Sequence, residues 1–208
     1  MTPQETLSAY MSTAFPKSAK LRDGTMIVLR PLTPDDRDEA CKFFERVPED
    51  DRAFLKEDVI NRREVEAWLD RIDPATETVI VAAAAGTIVG TAVLRREAQG
   101  WARHVGEIRV VADPATRRQG LGHVLAETVF AIAVRIGLEK MIAQMMANQT
   151  GAIRVFDLLG FSAEATLRNH VRDRNGHKHD LLIMANEIEQ SREATTVDSE
   201  TAFIPRPR

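Results

Sequence analysis

Residues 106–122 read GEIRVVADPATRRQGLG. The stretch opens as an alternating run rich in β-branched residues and stops at Asp113-Pro114. A short basic turn bearing glycine follows, and a long amphipathic pattern emerges from it. The expected local structure is strand, tight loop and helix, with Arg117, Arg118, Gln119, Gly120, Leu121 and Gly122 building the first helical turn. The first N–H groups of a helix have no acceptor within it and point at whatever lies on its end. Glycine lets a bulky anion approach those amides, and two arginines add positive potential. A phosphate or diphosphate held at this helix start is the chemical expectation. The plainer alternative is a connection whose glycines only permit close packing. No Gly-Lys-Ser or Gly-Lys-Thr follows, so this is not a P-loop, and the G-x-G-x-x-G spacing is absent as well.

With 208 residues the chain can form one full-sized domain with a real core. Its 28 basic and 31 acidic side chains give a formal net charge of -3, which argues against a protein built mainly to hold nucleic acid. The single cysteine, Cys41, excludes an internal disulfide scaffold and lies on the apolar side of an expected helix, as a small hydrophobe would. Residues 78–94 carry no charge and approach the length of a membrane span. Gly86 and Gly90 interrupt them, and their β-branched content suits two buried strands better. No basic, apolar and cleavage-site segments succeed one another at the N-terminus, so a cytoplasmic protein that does not engage membranes is expected.

Residues 1–22 show no sustained pattern and read as a flexible lead; residues 23–189 hold the domain, and 190–208 read as a disordered tail. A strand is expected at 25–32. Thr33-Pro34-Asp35-Asp36 then looks like an N-cap with proline at the first helical position, opening a helix to about Val47 that buries Ala40, Phe43 and Phe44. Asn61 can cap a second helix carrying Val65, Trp68, Leu69 and Ile72 on one face. Strands at 78–83 and 87–96 form a hairpin, and a third strand follows at 104–112. A helix over 121–136 closes at Gly137, with a strand at 140–146 and a short helix closing at Gly160 after it. Residues 161–171 and 178–188 suggest a long hairpin. This order implies an α/β fold with one mixed sheet and helices on both faces.

The six residues from Arg117 to Gly122 match the pattern Gln/Arg-x-x-Gly-x-Gly/Ala, and they resemble the acetyl-CoA loop of the Gcn5-related N-acetyltransferase superfamily. Two further blocks carry the likeness. IVLRPLTPDD at 27–36 resembles the opening strand and first-helix start, and NQTGAIRVFDLLGF at 148–161 resembles the late asparagine, short helix and Gly-Phe ending. The resemblance implies a centrally splayed sheet, an acyl-CoA N-acyltransferase-like fold, acetyl-CoA as co-substrate and an amine as acceptor, with homodimer formation left open. It also implies that the backbone of Val110, Val111 and Ala112 binds the pantetheine arm. The amides of Arg118, Gln119, Gly120, Leu121 and Gly122 would wrap the diphosphate, with Arg117 at the motif's first position. Asn148 or Gln149 stands at the asparagine position, because the spacing to Gly-Phe is one residue off the commonest form.

Attack on a thioester needs a neutral amine and a stabilised oxyanion. Glu107 is the candidate base, on the strand face shared with Val105, Arg109 and Val111. The alternative is an ion pair between Glu107 and Arg109 or a neighbouring strand. The amide of Val110 or Val111 is the candidate for polarising the carbonyl. Many members of the superfamily have a tyrosine where this chain has Phe156, and the only tyrosine here is Tyr10. A non-catalytic acyl-CoA-binding module is therefore the competing reading. His170, His177 and His179 with Asp173 and Asp180 form either a metal cluster, the minority option, or a solvated hairpin. Glu57, Asp58 and Glu64 could lend negative potential to a cationic acceptor.

Overall fold

A computed structural model of the chain describes residues 3–48, 59, 61–173 and 175–188. Eight strands form one sheet in the order β1-β2-β3-β4-β5-β6-β8-β7. They are β1 (Lys17–Lys20), β2 (Met26–Pro31), β3 (Glu77–Ala84), β4 (Thr87–Arg96), β5 (Val105–Ala112), β6 (Lys140–Met146), β7 (Ser162–Arg172) and β8 (Lys178–Glu187). Every neighbouring pair is antiparallel except β5–β6, which is parallel and is joined by a helical crossover. The uncharged run folds as the expected hairpin. Its two-residue turn places Ala85 and Gly86 at φ 47° and 84°, the left-handed geometry that matches strand twist.

Helices cover both faces, as the alternation implied. On one face lie α2 (Arg37–Arg46) and α3 (Arg62–Leu69). Phe43 and Phe44 of α2 and Trp68 of α3 pack edge to face over Val79, Val81, Ile88 and Val93. Asn61 caps α3 by accepting from Glu64 N–H (3.1 Å). The corner between β2 and α2 is fixed by Asp36, which takes two 2.6 Å bonds from the Arg30 guanidinium and a 2.8 Å bond from Thr33 N–H. Cys41 is fully buried, and burial pushes its thiol up, away from reactivity.

On the other face lie α1 (Pro3–Ala14), α4 (Leu121–Arg135) and α5 (Thr150–Leu158). Leu121, Leu125, Val129, Ile132 and Ala133 bury one stripe of α4 against the sheet. Gly90 permits that approach, since a Cβ there would lie 2.8 Å from Leu125 Cδ1. The helix ends as expected at Gly137 (φ 81°), where Gly137 N–H donates to Val134 O and Leu138 N–H to Ala133 O. The N-terminal expectation is corrected. Residues 3–14 are helical and 17–20 pair with β2, and Leu7 and Leu21 are buried in the main core. The expected tail at 190–208 lies outside the described residues.

Candidate functional site

The pairing of β5 with β6 runs only from Val105↔Lys140 to Ile108↔Ala143. Beyond it β5 continues alone beside β4 to Ala112, and β6 continues beside β8 to Met146. The sheet therefore opens between residues 109–112 and 144–146. Asp113 N–H donates to Val89 O (2.8 Å), on the β4 side. Backbone groups alternate along a strand, so Val111 also faces β4, while Val110 and Ala112 present N–H and C=O to the opening. Of the three residues expected to meet the pantetheine arm, two are so directed and Val111 is not.

The chain then turns sharply. Asp113, buried between α2 and the loop, accepts from Ala115 N–H through Oδ1 and pairs with Arg46 through Oδ2 (2.9 Å). Arg46 also donates to Ile88 O (2.6 Å), so α2 holds both the loop and the neighbouring hairpin. Nothing in the local sequence marks Arg46 for this, because its partner stands 67 residues away. The helix begins at Leu121, where the 121–136 pattern starts, and residues 117–120 form a turn before it rather than part of its first turn. Arg118 and Gly120 have φ of 62° and 89°. Left-handed residues among right-handed ones turn successive N–H groups to one side, the geometry of an anion-binding nest.

Two amides of this loop are consumed internally. Arg117 N–H donates to Pro114 O, and Gln119 N–H to Thr116 O (3.3 Å). Among the described residues nothing accepts from the N–H groups of Arg118, Gly120, Leu121, Gly122 or His123, and no side chain caps the helix. The residues 117, 118, 119, 120 and 122 are all half-buried or exposed, so their backbone is within reach of a ligand. This end of α4 can hold a diphosphate, and the opened strand edge beside it can hold an extended chain bearing amides.

Glu107 sits half-buried on the α2–α3 face with Oε1 at 3.8 Å from Arg109 Nη2. Its Cα partner on β4 is Arg95, whose own Cα partner on β3 is Glu77. Arg95 Nε donates to Glu77 Oε2 (2.9 Å), and Trp68 Nε1 donates to Glu77 Oε1 (3.0 Å). Acidic and basic side chains thus alternate across three strands, with Glu107 between two arginines. Arg109 lines a shallow cleft with Phe44, Val59, Trp68, Thr91, Val93 and Val111, and burial lowers its guanidinium to about 10.

At the end of β6, Gln149 Oε1 accepts from Met146 N–H (3.0 Å) and so closes the strand. Asn148 is exposed, which leaves its side chain as the one available at the asparagine position. Phe156 is buried and packs against Phe161 with centroids 5.1 Å apart. Tyr10 lies beside Arg135 at the far end of α4, roughly 20 Å along the helix from Gly120 at 1.5 Å per residue. It is no substitute proton donor. Asp173 receives His179 Nε2 at 2.9 Å and His177 Nδ1 at 3.3 Å, and its carboxyl is lowered to about 2, first by His179. Among the described residues no group of three or more His, Cys, Asp or Glu could hold a metal ion. Glu64 contributes to the α3 cap, while Glu57 and Asp58 lie outside the described residues. No helix among those residues is long and apolar enough to cross a membrane.

The chain belongs to the acetyltransferase (GNAT) family, whose model matches residues 33–161. It is 31% identical over 142 residues to mycothiol acetyltransferase of Thermobispora bispora, covering 64% of this chain and 46% of that protein. It is 32% identical over 76 residues to the ribosomal protein bS18-alanine N-acetyltransferase of Escherichia coli (strain K12), covering 36% of this chain and 51% of that protein. The chain thus spans about half the length of the curated relatives it matches. Among solved structures, yncA of Salmonella typhimurium, determined with its cofactor acetyl-CoA, has a TM-score of 0.63 at 20% identity, covering 78% of this chain and 94% of that one. The last likeness is one of fold.

Proposed function

We propose that the protein is an N-acetyltransferase that moves an acetyl group from acetyl-CoA to a primary amine of a small molecule or a protein. One juxtaposition carries the reading: the unpaired edge at Val110 and Ala112 leads directly into the unbonded amides at 118 and 120–123. In this reading the edge holds the pantetheine arm and the amides hold the diphosphate, with Arg117, Arg118 and Gln119 shaping the loop and Asn148 at its far wall. Acetyl-CoA supplies an acetyl group already activated as a thioester. The Val110 N–H polarises the carbonyl, and Glu107 takes the proton from the amine. Phe156 can give no proton to the departing thiolate, so that proton comes from solvent. A cytoplasmic location goes with this reading, and homodimer formation is an independent property for light scattering to decide.

The competing reading is a non-catalytic acyl-CoA-binding module. It is favoured by Phe156 and by the arginines on either side of Glu107. Calorimetry with acetyl-CoA followed by a panel of amines, monitored by thiol release, separates the two. Saturable binding with turnover supports the enzyme, and binding without turnover across the panel supports the module. No saturable binding overturns both.

A further inference from the structure

The turn between β1 and β2 touches the loop that precedes α4. Arg22 N–H donates to Gln119 O (3.0 Å), which ties the two segments together. The Arg22 side chain lies across Gly120, where a Cβ would sit 3.8 Å from Arg22 Nε and 3.9 Å from its Cγ. Arg22 is exposed, and among the described residues no carboxylate lies within salt-bridge distance of it. Its neighbour Asp23 is turned back into its own turn, where Oδ1 accepts from Thr25 N–H (2.9 Å).

This arginine is held in place. Leu21 N–H donates to Thr25 O (2.9 Å) and Gly24 N–H to Leu21 O (3.0 Å), with Gly24 at φ 91°. Leu21 itself is 5% exposed within the core that α4 helps to form. The segment before β2 therefore ends in a rigid turn whose one long cationic side chain overlies the glycine beside the unbonded amides. The family match begins at residue 33, so Arg22 stands outside the matched positions.

We propose that Arg22 is a phosphate ligand of the coenzyme, supplied by the N-terminal segment to complete a loop whose other donors are backbone amides. The inference rests on the acetyl-CoA reading of that loop. A guanidinium gives a charge-assisted, forked contact that amides cannot, and it suits either the diphosphate or the 3′-phosphate. These two sources share one chemistry and differ in what removal of the 3′-phosphate does.

The test is calorimetry of the full chain with acetyl-CoA and with acetyl-3′-dephospho-CoA, using wild type, Arg22→Gln and Arg22→Lys. The expected result is that Arg22→Gln weakens acetyl-CoA binding about 5- to 10-fold and flattens its salt dependence, while Arg22→Lys stays within about 3-fold of wild type. If the contact is to the 3′-phosphate, acetyl-3′-dephospho-CoA binds wild type and Arg22→Gln equally. If it is to the diphosphate, Arg22→Gln loses the same factor with both ligands. The substitution retains the backbone bond to Gln119, and an unchanged melting temperature without ligand shows that the loop stays tethered. Should that temperature fall, the ratio of Arg22→Gln to Arg22→Lys at matched foldedness decides the matter. Equal acetyl-CoA affinity and equal salt dependence in wild type and Arg22→Gln overturn the proposal and leave the donor reading intact. Failure of wild type to bind acetyl-CoA removes the donor reading itself.

Discussion

The loop before α4 and the charged ladder on the α2–α3 face are built on opposite plans. The loop offers backbone: unbonded N–H groups at 118 and 120–123, with the chain bent by residues at positive φ. The ladder offers side chains, Glu77, Arg95, Glu107 and Arg109, brought together by strand register across β3, β4 and β5. A backbone site tolerates changes of side chain but not of conformation, whereas a side-chain site depends on each group and its neighbours. Substitutions should therefore affect the two regions in different observables.

The largest effect is expected at the ladder. Glu107→Gln should lower kcat by about 100- to 10,000-fold while leaving acetyl-CoA affinity unchanged. Full retention of turnover would reassign Glu107 to holding Arg95 and Arg109. Next comes the corner that orients α2 over the ladder. Asp36→Ala removes a buried carboxylate from Arg30 and should cost about 2 kcal/mol in chemical denaturation. The Arg30 guanidinium holds the Asp36 carboxyl below its ordinary value, so its contribution to stability is fully present above about pH 3.9. That contribution disappears as pH falls through the lower folded value, and Asp36→Ala should flatten this part of the acid limb.

The loop should respond in binding. Gly120→Ala places a Cβ at φ 89°, which costs about 1–2 kcal/mol and should weaken acetyl-CoA binding about 5- to 10-fold, with a smaller change in kcat. Unchanged affinity would mean that the bend at 120 does not shape the anion site. The smallest effect is expected at the end of β6. Gln149→Ala loses the bond to Met146 N–H and should cost about 1 kcal/mol in thermal unfolding, without changing which amines react.

The same contrast explains what could be read from the residues alone. The loop is a local feature, so Arg117–Gly122 was legible in a stretch of six residues, although residues 117–120 form a turn ahead of the helix and not its first turn. The apolar hairpin, α2, α3 and β6 were legible for the same reason, each carrying its own period and its own stop. The ladder was legible only as Glu107 and Arg109, since Arg95 and Glu77 join through register that one strand does not contain. Arg46 and Asp113 pair across 67 positions, and neither sequence neighbourhood indicates the other. The N-terminal helix carries no clear signal because α1 has, among the described side chains, one buried apolar residue, Leu7, and draws its order from packing on α4. Likewise β1 is Lys-Ser-Ala-Lys, a charged edge without strand-forming composition, positioned by its partner β2.

The four residue pairs between β5 and β6 form a short seam in the middle of the sheet, where the joins immediately on either side are seven pairs long. Strands β1 to β5 make one plate and β6, β8 and β7 another, and the seam is their short weld. An elongated molecule lodged in the opening would brace the plates against each other like a strut. Amide exchange along residues 109–112 and 144–146 should therefore slow when the strut is in place, and the second plate, with α5 attached, should be the part whose motion is quieted most.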